Sequence, residues 1–277
     1  MNKNIAEAAE ELGLGMAVGS QRAGLYDKRL ADTYSIARKA APHAFIGSNI
    51  GGAQISGGFK TEDAKKLVKM LDADAFYVHL NPAQEIVQPE GEPNYRDVVS
   101  GISKFVDAIN KPVVVKEVGF GISGNVAKRL EGIGVSAIET AGMGGTSYSA
   151  VEYYRAKEFK MEIKERMGEM LWDWGIPTAA SLYMVRNSVK IPVVASGGLR
   201  SGIDIAKSIV MGASLTAAAW PFLRPATVSA EKVQEKMEEM IYGLKSVMFL
   251  TGCKNIKELS QLKYIMTGEL RHWCDLD

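Results

Sequence analysis

Seven short apolar segments recur along the chain, and most are bounded by Gly, Pro or Asn. They are LGMAVG (14–19), AFIGSNI (44–50), AFYVHL (75–80), PVVVKEV (112–118), VSAIET (135–140), IPVVAS (191–196) and SLTAAAW (214–220). Nearly continuous apolar runs of this length are typical of strands that are buried on both faces of a parallel sheet. The pattern therefore predicts seven parallel strands.

Helical patterns separate these segments. They cover 27–40, 61–71, 97–109, 123–132, 177–189 and 201–211, and a further amphipathic helix, with Ile5, Ala8 and Leu12 on one face, precedes the first strand. Thr61, Ser123 and Ser201 stand where N-caps are expected. Alternating strands and helices predict an α/β fold of the parallel TIM-type (β/α)8 barrel class, with a doubly wound sheet of seven strands as the structural alternative.

The strand count indicates an incomplete barrel. A closed barrel of this class has eight strands, whereas seven are visible here and the chain opens on a helix. We therefore expect that the first strand and the segment before it are missing from a single domain, 1–277. Residues 152–172 carry charges of alternating sign, which predicts a solvated helix, a flap over the strand ends, or both. Residues 231–277 are expected to close the outer ring of helices.

Composition narrows the class of protein. The 277 residues are 47% apolar with a formal charge of +1, so no electrostatic footprint for nucleic acid or an acidic membrane is present. Cys253 and Cys274 are the only cysteines and show no CxxC spacing, which makes a reducing cytoplasm the expected location. No apolar stretch has the length of a membrane span, and the acidic start is unlike a signal peptide.

Glycine-rich turns follow three of the predicted strands. SGGLRSG (196–202) follows the sixth, GASLTAAAWPFL (212–223) contains the seventh, and AGMGGTS (141–147) follows the fifth. Glycines let backbone N–H groups approach an anion, and in barrels the loops after strands seven and eight often bind phosphate. With one strand missing, strands six and seven become seven and eight. The turns predict a phosphorylated ligand, with packing turns as the alternative, and Thr146 and Ser147 as hydroxyl donors to it.

Polar side chains stand at the carboxyl ends of other strands, where barrel active sites lie. They are Arg22, Asn49, His79, Asn81, Gln84, Glu85, Lys116 and Glu117. Lys116 interrupts an apolar strand, which is costly unless the ammonium meets an anionic ligand or forms an ion pair with Glu117 or another carboxylate. His79 is either functional or a hydrogen-bonded core histidine. Glu85 is either a surface carboxylate or a Mg²⁺ ligand beside substrate phosphates.

Several segments of the chain, taken in their order along the sequence, resemble those of the type 2 isopentenyl-diphosphate isomerase family. They are GSQRA, HLNPAQE with QPEGE, VKEVGFGIS, AGMGGTS, DWGIPTA, SGGLRSGIDIAK, WPFL and MFLTG, which span nearly the whole chain. The resemblance implies an isomerase of isoprenoid biosynthesis that interconverts isopentenyl and dimethylallyl diphosphate. It also implies reduced FMN as the acid and base, Mg²⁺, NADPH or NADH as reductant, and a homo-oligomer of four or more subunits.

The resemblance also implies roles for individual residues. Near FMN it places Ser20, Asn49, Lys116, Thr146, Gly197, Gly198, Arg200, Ser201, Gly202, Ala219 and Trp220. Toward the substrate it places Arg22, His79, Asn81 and Gln84, and it makes Glu85 the Mg²⁺ ligand. Gln84 and His79 would be the catalytic side chains, with Gln84 positioning or relaying the transferred proton.

One departure from the family is visible, because its usual N-terminal Arg-Lys and His segment and Met-Thr-Gly-Gly turn are not in this sequence. A truncated, inactive flavin-binding barrel is therefore one alternative. An FMN-dependent α-hydroxy-acid oxidase is the other, but such enzymes carry a catalytic His in the turn that corresponds to 141–147, and this chain has none there.

Overall fold

A computed structural model describes residues 1–274 of the protein. Seven strands form one parallel sheet in which each strand pairs with its neighbours in chain order. They are β1 (Met16–Ala17), β2 (Ile46–Gly51), β3 (Ala75–His79), β4 (Val113–Lys116), β5 (Ala137–Glu139), β6 (Val193–Ala195) and β7 (Leu215–Thr216). Six lie inside one of the seven apolar segments and β2 extends one residue beyond its segment, so the predicted parallel barrel strands are confirmed.

The helices cover the outer side of this sheet. They are α1 (Asn2–Leu12), α2 (Arg22–Tyr26), α3 (Lys28–Ala40), α4 (Gly52–Ser56), α5 (Thr61–Leu71), α6 (Pro82–Val87), α7 (Val98–Ala108), α8 (Gly124–Gly132), α9 (Tyr148–Glu158), α10 (Glu162–Met170), α11 (Thr178–Ser188), α12 (Gly202–Val210), α13 (Trp220–Ala226), α14 (Ala230–Leu250), α15 (Ile256–Leu259) and α16 (Glu269–Cys274). The short helices α2, α4, α6 and α13 were not predicted. Within residues 1–274 no helix is long and apolar enough to cross a membrane.

The main hydrophobic core lies between the sheet and its helices. Phe76 and Val78 of β3 are fully buried there, together with Phe105 of α7. The rings of Phe76 and Phe105 pack edge to face, with their centroids 5.7 Å apart. Strands covered on their outer face by helices need apolar side chains at these positions, which explains why the sequence runs are nearly continuous rather than alternating. The other face of the sheet is buried as well, for example at Val114 and Val194, so the polar side chains are concentrated at the strand ends.

The sheet is open between β1 and β7, which pair only with β2 and β6 among the described residues. Outside this opening, α1 and α14 pack against each other through Ala8, Val233 and Met237, and Asn4 Nδ2 donates to the Ala226 carbonyl at 3.0 Å. Closure of the outer ring by residues 231–277 stays a prediction, and residues 275–277 lie outside the described residues.

Helix starts test the predicted caps. The hydroxyl groups of Ser123 and Ser201 accept hydrogen bonds from N–H groups of the first turn, as expected. The prediction for Thr61 is wrong, because Lys60 is the N-cap and Thr61 is already helical without a side-chain cap. The segment 152–172 forms most of the hairpin α9–α10, which packs on α6 beside the strand ends.

Candidate active site

Three neighbouring strands bring His79, Lys116 and Glu139 into one layer. In the sheet register His79 lies beside Lys116, and Lys116 lies beside Glu139. All three residues end their strands, so their side chains stand at the carboxyl end of the barrel. Catalytic sites of parallel barrels occupy this end. Glu139, which the sequence analysis did not single out, accepts a hydrogen bond from Ser196 Oγ at 2.7 Å.

Lys116 presents a positive charge without a carboxylate partner. Its Nζ donates to the backbone carbonyl of Glu117 at 2.7 Å, and no acidic group of residues 1–274 lies within ion-pair distance. The Glu117 carboxylate instead accepts the N–H groups of Val118, Gly119 and Phe120, although burial raises its pKa to about 7. The structural ion pair considered for Lys116 is therefore not formed.

His79 is held in one tautomer. Asn49 is buried and donates through Nδ2 to the Val18 carbonyl at 3.0 Å, so its Oδ1 faces His79 Nδ1 at 2.9 Å as an acceptor. His79 therefore carries its proton on Nδ1, and Nε2 is left as an unprotonated acceptor. Burial and the charge of Lys116 lower the pKa of His79 to about 3. The ring is neutral at physiological pH.

The residues around α6 form a connected hydrogen-bond network. Asn81 is 3% exposed, and its Nδ2 donates to Gln84 Oε1 and to Glu85 Oε1, both at 3.1 Å. Its Oδ1 accepts from Tyr95 Oη at 2.7 Å. Because both amide hydrogens of Asn81 are used by neighbours, Asn81 organises Gln84 and Glu85. If Asn81 contacts the substrate as predicted, only its side-chain oxygen, Oδ1, can do so.

Glu152 is a member of this network that sequence reasoning missed. It is 3% exposed on α9, accepts from Gln84 Nε2 at 2.9 Å, and pairs with Arg155 Nη1 at 2.7 Å. Glu152 and Gln84 are 68 positions apart, and nothing in the local pattern EYYRAKE distinguishes this carboxylate from a solvated one. With Oε1 accepting from Asn81 and one Nε2 hydrogen bound to Glu152, Gln84 keeps one amide hydrogen for a ligand.

Glu85 has the properties of a single metal ligand. Its carboxylate is 6% exposed and accepts one hydrogen bond on each oxygen, from Asn81 Nδ2 and from the N–H of Glu92. A carboxylate has about four acceptor positions, so two remain. No group of three or more His, Cys, Asp or Glu side chains converges anywhere in the described chain. One carboxylate with substrate phosphate oxygens is a donor set that suits Mg²⁺.

The two glycine turns after β5 and β6 lie against each other. Gly197 and Gly198 have φ angles of 104° and 82°, and a Cβ on either would overlap backbone of Gly142 or Gly144. Only glycine satisfies both the left-handed backbone and this contact. The N–H groups of Gly197 and Gly198 donate to no residue that the structure describes. They are free for an anion.

The N-terminus of α12 is already occupied by an acidic side chain. Ser201 and Asp204 form a capping box, in which Asp204 Oδ2 accepts the N–H groups of Arg200 and Ser201, both at 3.0 Å. Ser201 therefore caps α12 as predicted, and with Asp204 it satisfies N–H groups of the helix terminus without a ligand. The sequence signal for this box, a Ser followed three residues later by Asp, is present in SGID.

The other predicted residues ring the same end of the barrel. Arg22 is exposed in α2 and forms no hydrogen bond or ion pair with the described part of the chain. Thr146 is exposed and lies just before α9. Ser20 lies between β1 and α2, Gly202 is the first residue of α12, and Ala219 directly precedes α13. The Arg200 guanidinium lies 5.8 Å from the centre of the Trp220 ring. Ser147 does not act as predicted, because its hydroxyl caps α9 and donates to the Trp172 carbonyl at 2.6 Å.

Comparison with known proteins identifies related sequences. The FMN-dependent dehydrogenase family matches residues 62–265. An isopentenyl-diphosphate delta-isomerase of Archaeoglobus fulgidus is 48% identical over 276 residues, which cover 99% of this chain and 78% of that protein. The enzymes of that name from Methanosarcina mazei and Pyrococcus furiosus are 45% and 42% identical over 99% of this chain, and the matches cover 74% and 70% of their lengths.

Similar solved structures support the fold. A lactate oxidase of Pediococcus acidilactici superposes with a TM-score of 0.67 over 95% of this chain and 72% of its own, at 19% identity. A mandelate oxidase gives a TM-score of 0.64 over 96% of this chain and 74% of its own, at 15% identity. At such low identity the likeness shows the barrel architecture alone.

Proposed function

Because the chain belongs to the isopentenyl-diphosphate delta-isomerase family, we propose that it interconverts isopentenyl diphosphate and dimethylallyl diphosphate with reduced FMN and Mg²⁺. This reaction moves a carbon–carbon double bond and involves no net oxidation. The site must therefore bind a diphosphate, hold an acid and a base near the alkene, and exclude redox chemistry on the substrate.

One observation carries the FMN part of this proposal. The Lys116 ammonium, which has no carboxylate partner among residues 1–274, stands at the same end of the barrel as the free N–H groups of Gly197 and Gly198. A cation and an anion-binding turn on one rim suit a phosphorylated cofactor with an electron-rich ring. Bound there, reduced FMN would supply the group that protonates and deprotonates the substrate carbons.

The chain's own residues would handle the diphosphate. Arg22 is an exposed guanidinium without a partner in the described structure, which suits bidentate contact with phosphate. Glu85 would hold Mg²⁺ against the same phosphates. The unprotonated Nε2 of His79 accepts a hydrogen bond, so contact with a phosphate oxygen requires that His79 first take up a proton.

Gln84 would act next to the reacting carbons. Asn81 and Glu152 fix the plane and the direction of its amide from two sides, so the remaining N–H points in one direction only. Such preorganised donors stabilise a transition state without reorganisation during the reaction. NADPH or NADH as reductant, a homo-oligomeric assembly and a cytoplasmic location complete the proposal.

The experiment is an anaerobic isomerase assay with FMN, NADPH and Mg²⁺, followed by omission of each component. We expect dimethylallyl diphosphate to form only when all three are present, and FMN titration to give a bound-flavin absorbance spectrum. Lactate and mandelate are tested in separate aerobic assays with oxidised FMN and without NADPH, so that O2 is the electron acceptor. Oxidation of either without isomerisation would support a hydroxy-acid oxidase, whereas no flavin binding would support a non-catalytic barrel.

A further inference from the structure

The chain makes a tight acidic turn directly after α6. This acidic turn, residues 88–92, contains Glu90 and Glu92, and it folds back so that the Glu92 N–H reaches Glu85 Oε2 at 2.8 Å. A hydrogen bond from the Gly91 N–H to the Gln88 carbonyl, at 2.9 Å, closes the turn. A Cβ at Gly91 would overlap the Glu85 carbonyl. The position of the turn therefore determines what the second carboxylate oxygen of Glu85 meets.

Lys164 of α10 holds the acidic turn from outside. Its half-buried ammonium donates to the carbonyls of Gln88 and Pro89, the latter at 3.2 Å. These carbonyls lie at the carboxyl end of α6, where helical hydrogen bonding stops and the helix dipole is negative. A lysine at this place adds a second hydrogen bond to the Gln88 carbonyl, which also accepts from the Gly91 N–H, and offsets the dipole.

Arg155 of α9 provides a second attachment. Its Nη2 contacts both carboxylate oxygens of Glu90, at 2.8 and 3.1 Å, while its Nη1 pairs with the buried Glu152. The acidic turn thus carries negative charge of its own beside Glu85, and the α9–α10 hairpin holds it by an ion pair of Arg155 with Glu90 and by hydrogen bonds from Lys164 to its carbonyls. Charge-assisted contacts of this kind fix geometry as well as contributing energy.

We propose that Lys164, assisted by Arg155, is a positioning residue for the metal-binding carboxylate Glu85. The hairpin holds the acidic turn, the turn presents the Glu92 N–H to Glu85 Oε2, and that hydrogen bond orients the carboxylate. Outer groups that hydrogen-bond to ligating carboxylates typically change metal affinity about 10- to 100-fold. The inference rests on the proposed function, since it requires Glu85 to hold Mg²⁺.

The first test is hydrogen exchange of the apo protein, which needs neither metal nor flavin. In Lys164→Met the stem is kept and the ammonium is lost, so we expect amides of residues 88–92 to exchange about ten-fold faster, including the Glu92 amide. Arg166→Met is the matched control on the same helix, because the Arg166 side chain is 75% exposed and, among residues 1–274, pairs with Glu162 alone, at 3.5 Å. Lys164→Arg should restore protection.

The second test is magnesium titration of the reconstituted enzyme. Lys164→Met should raise the Mg²⁺ concentration for half-maximal activity about ten-fold, leave turnover at saturating Mg²⁺ within about two-fold, and leave FMN binding unchanged. Arg155→Met should shift both readouts in the same direction, and it replaces Lys164→Met if that variant does not fold.

Two results would overturn the inference: wild-type exchange at 88–92 in Lys164→Met, or faster exchange there with an unchanged magnesium titration. Failure of the proposed function gives a different pattern. In that case Glu85→Gln itself leaves the magnesium titration unchanged. If Glu85→Gln weakens Mg²⁺ dependence while Lys164→Met does not, the role of Glu85 stands and only the positioning role of Lys164 fails.

Discussion

The two sides of the barrel mouth present different kinds of polar groups. On the side of β5 and β6, the glycine turns 141–147 and 196–202 offer backbone N–H groups, and their shape depends on close backbone contact at Gly197 and Gly198. On the side of β3, Asn81, Gln84 and Glu152 form a side-chain network in which most polar atoms are already satisfied. We expect the glycine turns to be disrupted by any added side-chain atom, and the β3 network to be disrupted by the loss of any one of its hydrogen bonds.

This difference has consequences for specificity. A backbone cradle binds any ligand with a phosphate of suitable size, as expected for a cofactor turn shared across FMN-dependent barrels. A network of oriented amides and carboxylates discriminates between reacting groups, because an unmatched ligand leaves buried polar atoms without partners. We therefore assign cofactor retention to the glycine side and substrate chemistry to the β3 side.

The largest expected effect tests the glycine side. In Gly198→Val the side chain would overlap the Gly144 carbonyl and impose a left-handed backbone on a β-branched residue. Because this overlap must displace the turn that presents the N–H groups of Gly197 and Gly198, we expect FMN binding to weaken by about 100-fold, measured by flavin fluorescence titration. Gly132→Val is the control, since nothing lies within 4 Å of its Cβ position. Unchanged FMN affinity in Gly198→Val would remove this turn from the cofactor site.

The next effect tests the β3 side. Glu85→Gln keeps the shape and removes the charge, so we expect Mg²⁺ to bind about 10- to 100-fold more weakly while FMN binding is unaffected. Glu92→Gln makes the same charge change in the neighbouring acidic turn, but the Glu92 side chain forms no hydrogen bond with any described residue, and Glu92 contacts Glu85 through its backbone N–H. Equal magnesium titrations for the two variants would contradict the assignment of Glu85 as the ligand.

The third prediction concerns protonation of His79, whose pKa is lowered from 6.5 to about 3. Between these values the unfolded chain binds the proton and the folded protein does not, so the stabilising contribution is complete above pH 6.5 and is lost as pH falls. The loss is about 2 kcal/mol at pH 5. Glu117 contributes with the opposite sign, because its pKa is raised to about 7 and the stability it gives at low pH is lost as pH rises. That contribution is common to both proteins, so urea unfolding at pH 5 and pH 8 should show the His79 contribution as the difference between the wild type and His79→Gln.

His272 provides the control for this pH dependence, because it is exposed in α16 and forms no hydrogen bond with the described residues. His272→Gln should keep the wild-type difference between pH 5 and pH 8. If His79→Gln also keeps it, then His79 is not the buried neutral histidine that its contact with Asn49 indicates. The β3 side would then be charged in the free protein.

The sequence predicted the glycine turns better than it predicted the β3 network. Glycine turns are local motifs, so 141–147 and 196–202 were placed correctly, as were all seven strands, whose apolar runs reflect burial on both faces. Glu152 was missed because its partner Gln84 is remote in sequence and reached only through α9 packing on α6. The sequence also could not show whether Lys116 forms an ion pair with Glu117, because local spacing does not reveal that the Glu117 carboxylate accepts backbone N–H groups instead.

The smallest expected effect tests whether the N-terminus of α12 takes part in the FMN-binding site together with the glycine turns. Because Ser201 and Asp204 satisfy the first N–H groups of this helix without a ligand, Ser201→Ala should cost about 1 kcal/mol of folding stability in the apo protein and change FMN affinity little. Ser229→Ala removes a cap of the same kind from α14, away from the glycine turns, and should lose similar stability. Urea unfolding and FMN titration of both variants give the comparison. A large loss of FMN affinity in Ser201→Ala alone, with stability unchanged, would show that the phosphate displaces Asp204 from the helix terminus, and the cradle would then extend from Gly197 to Gly202.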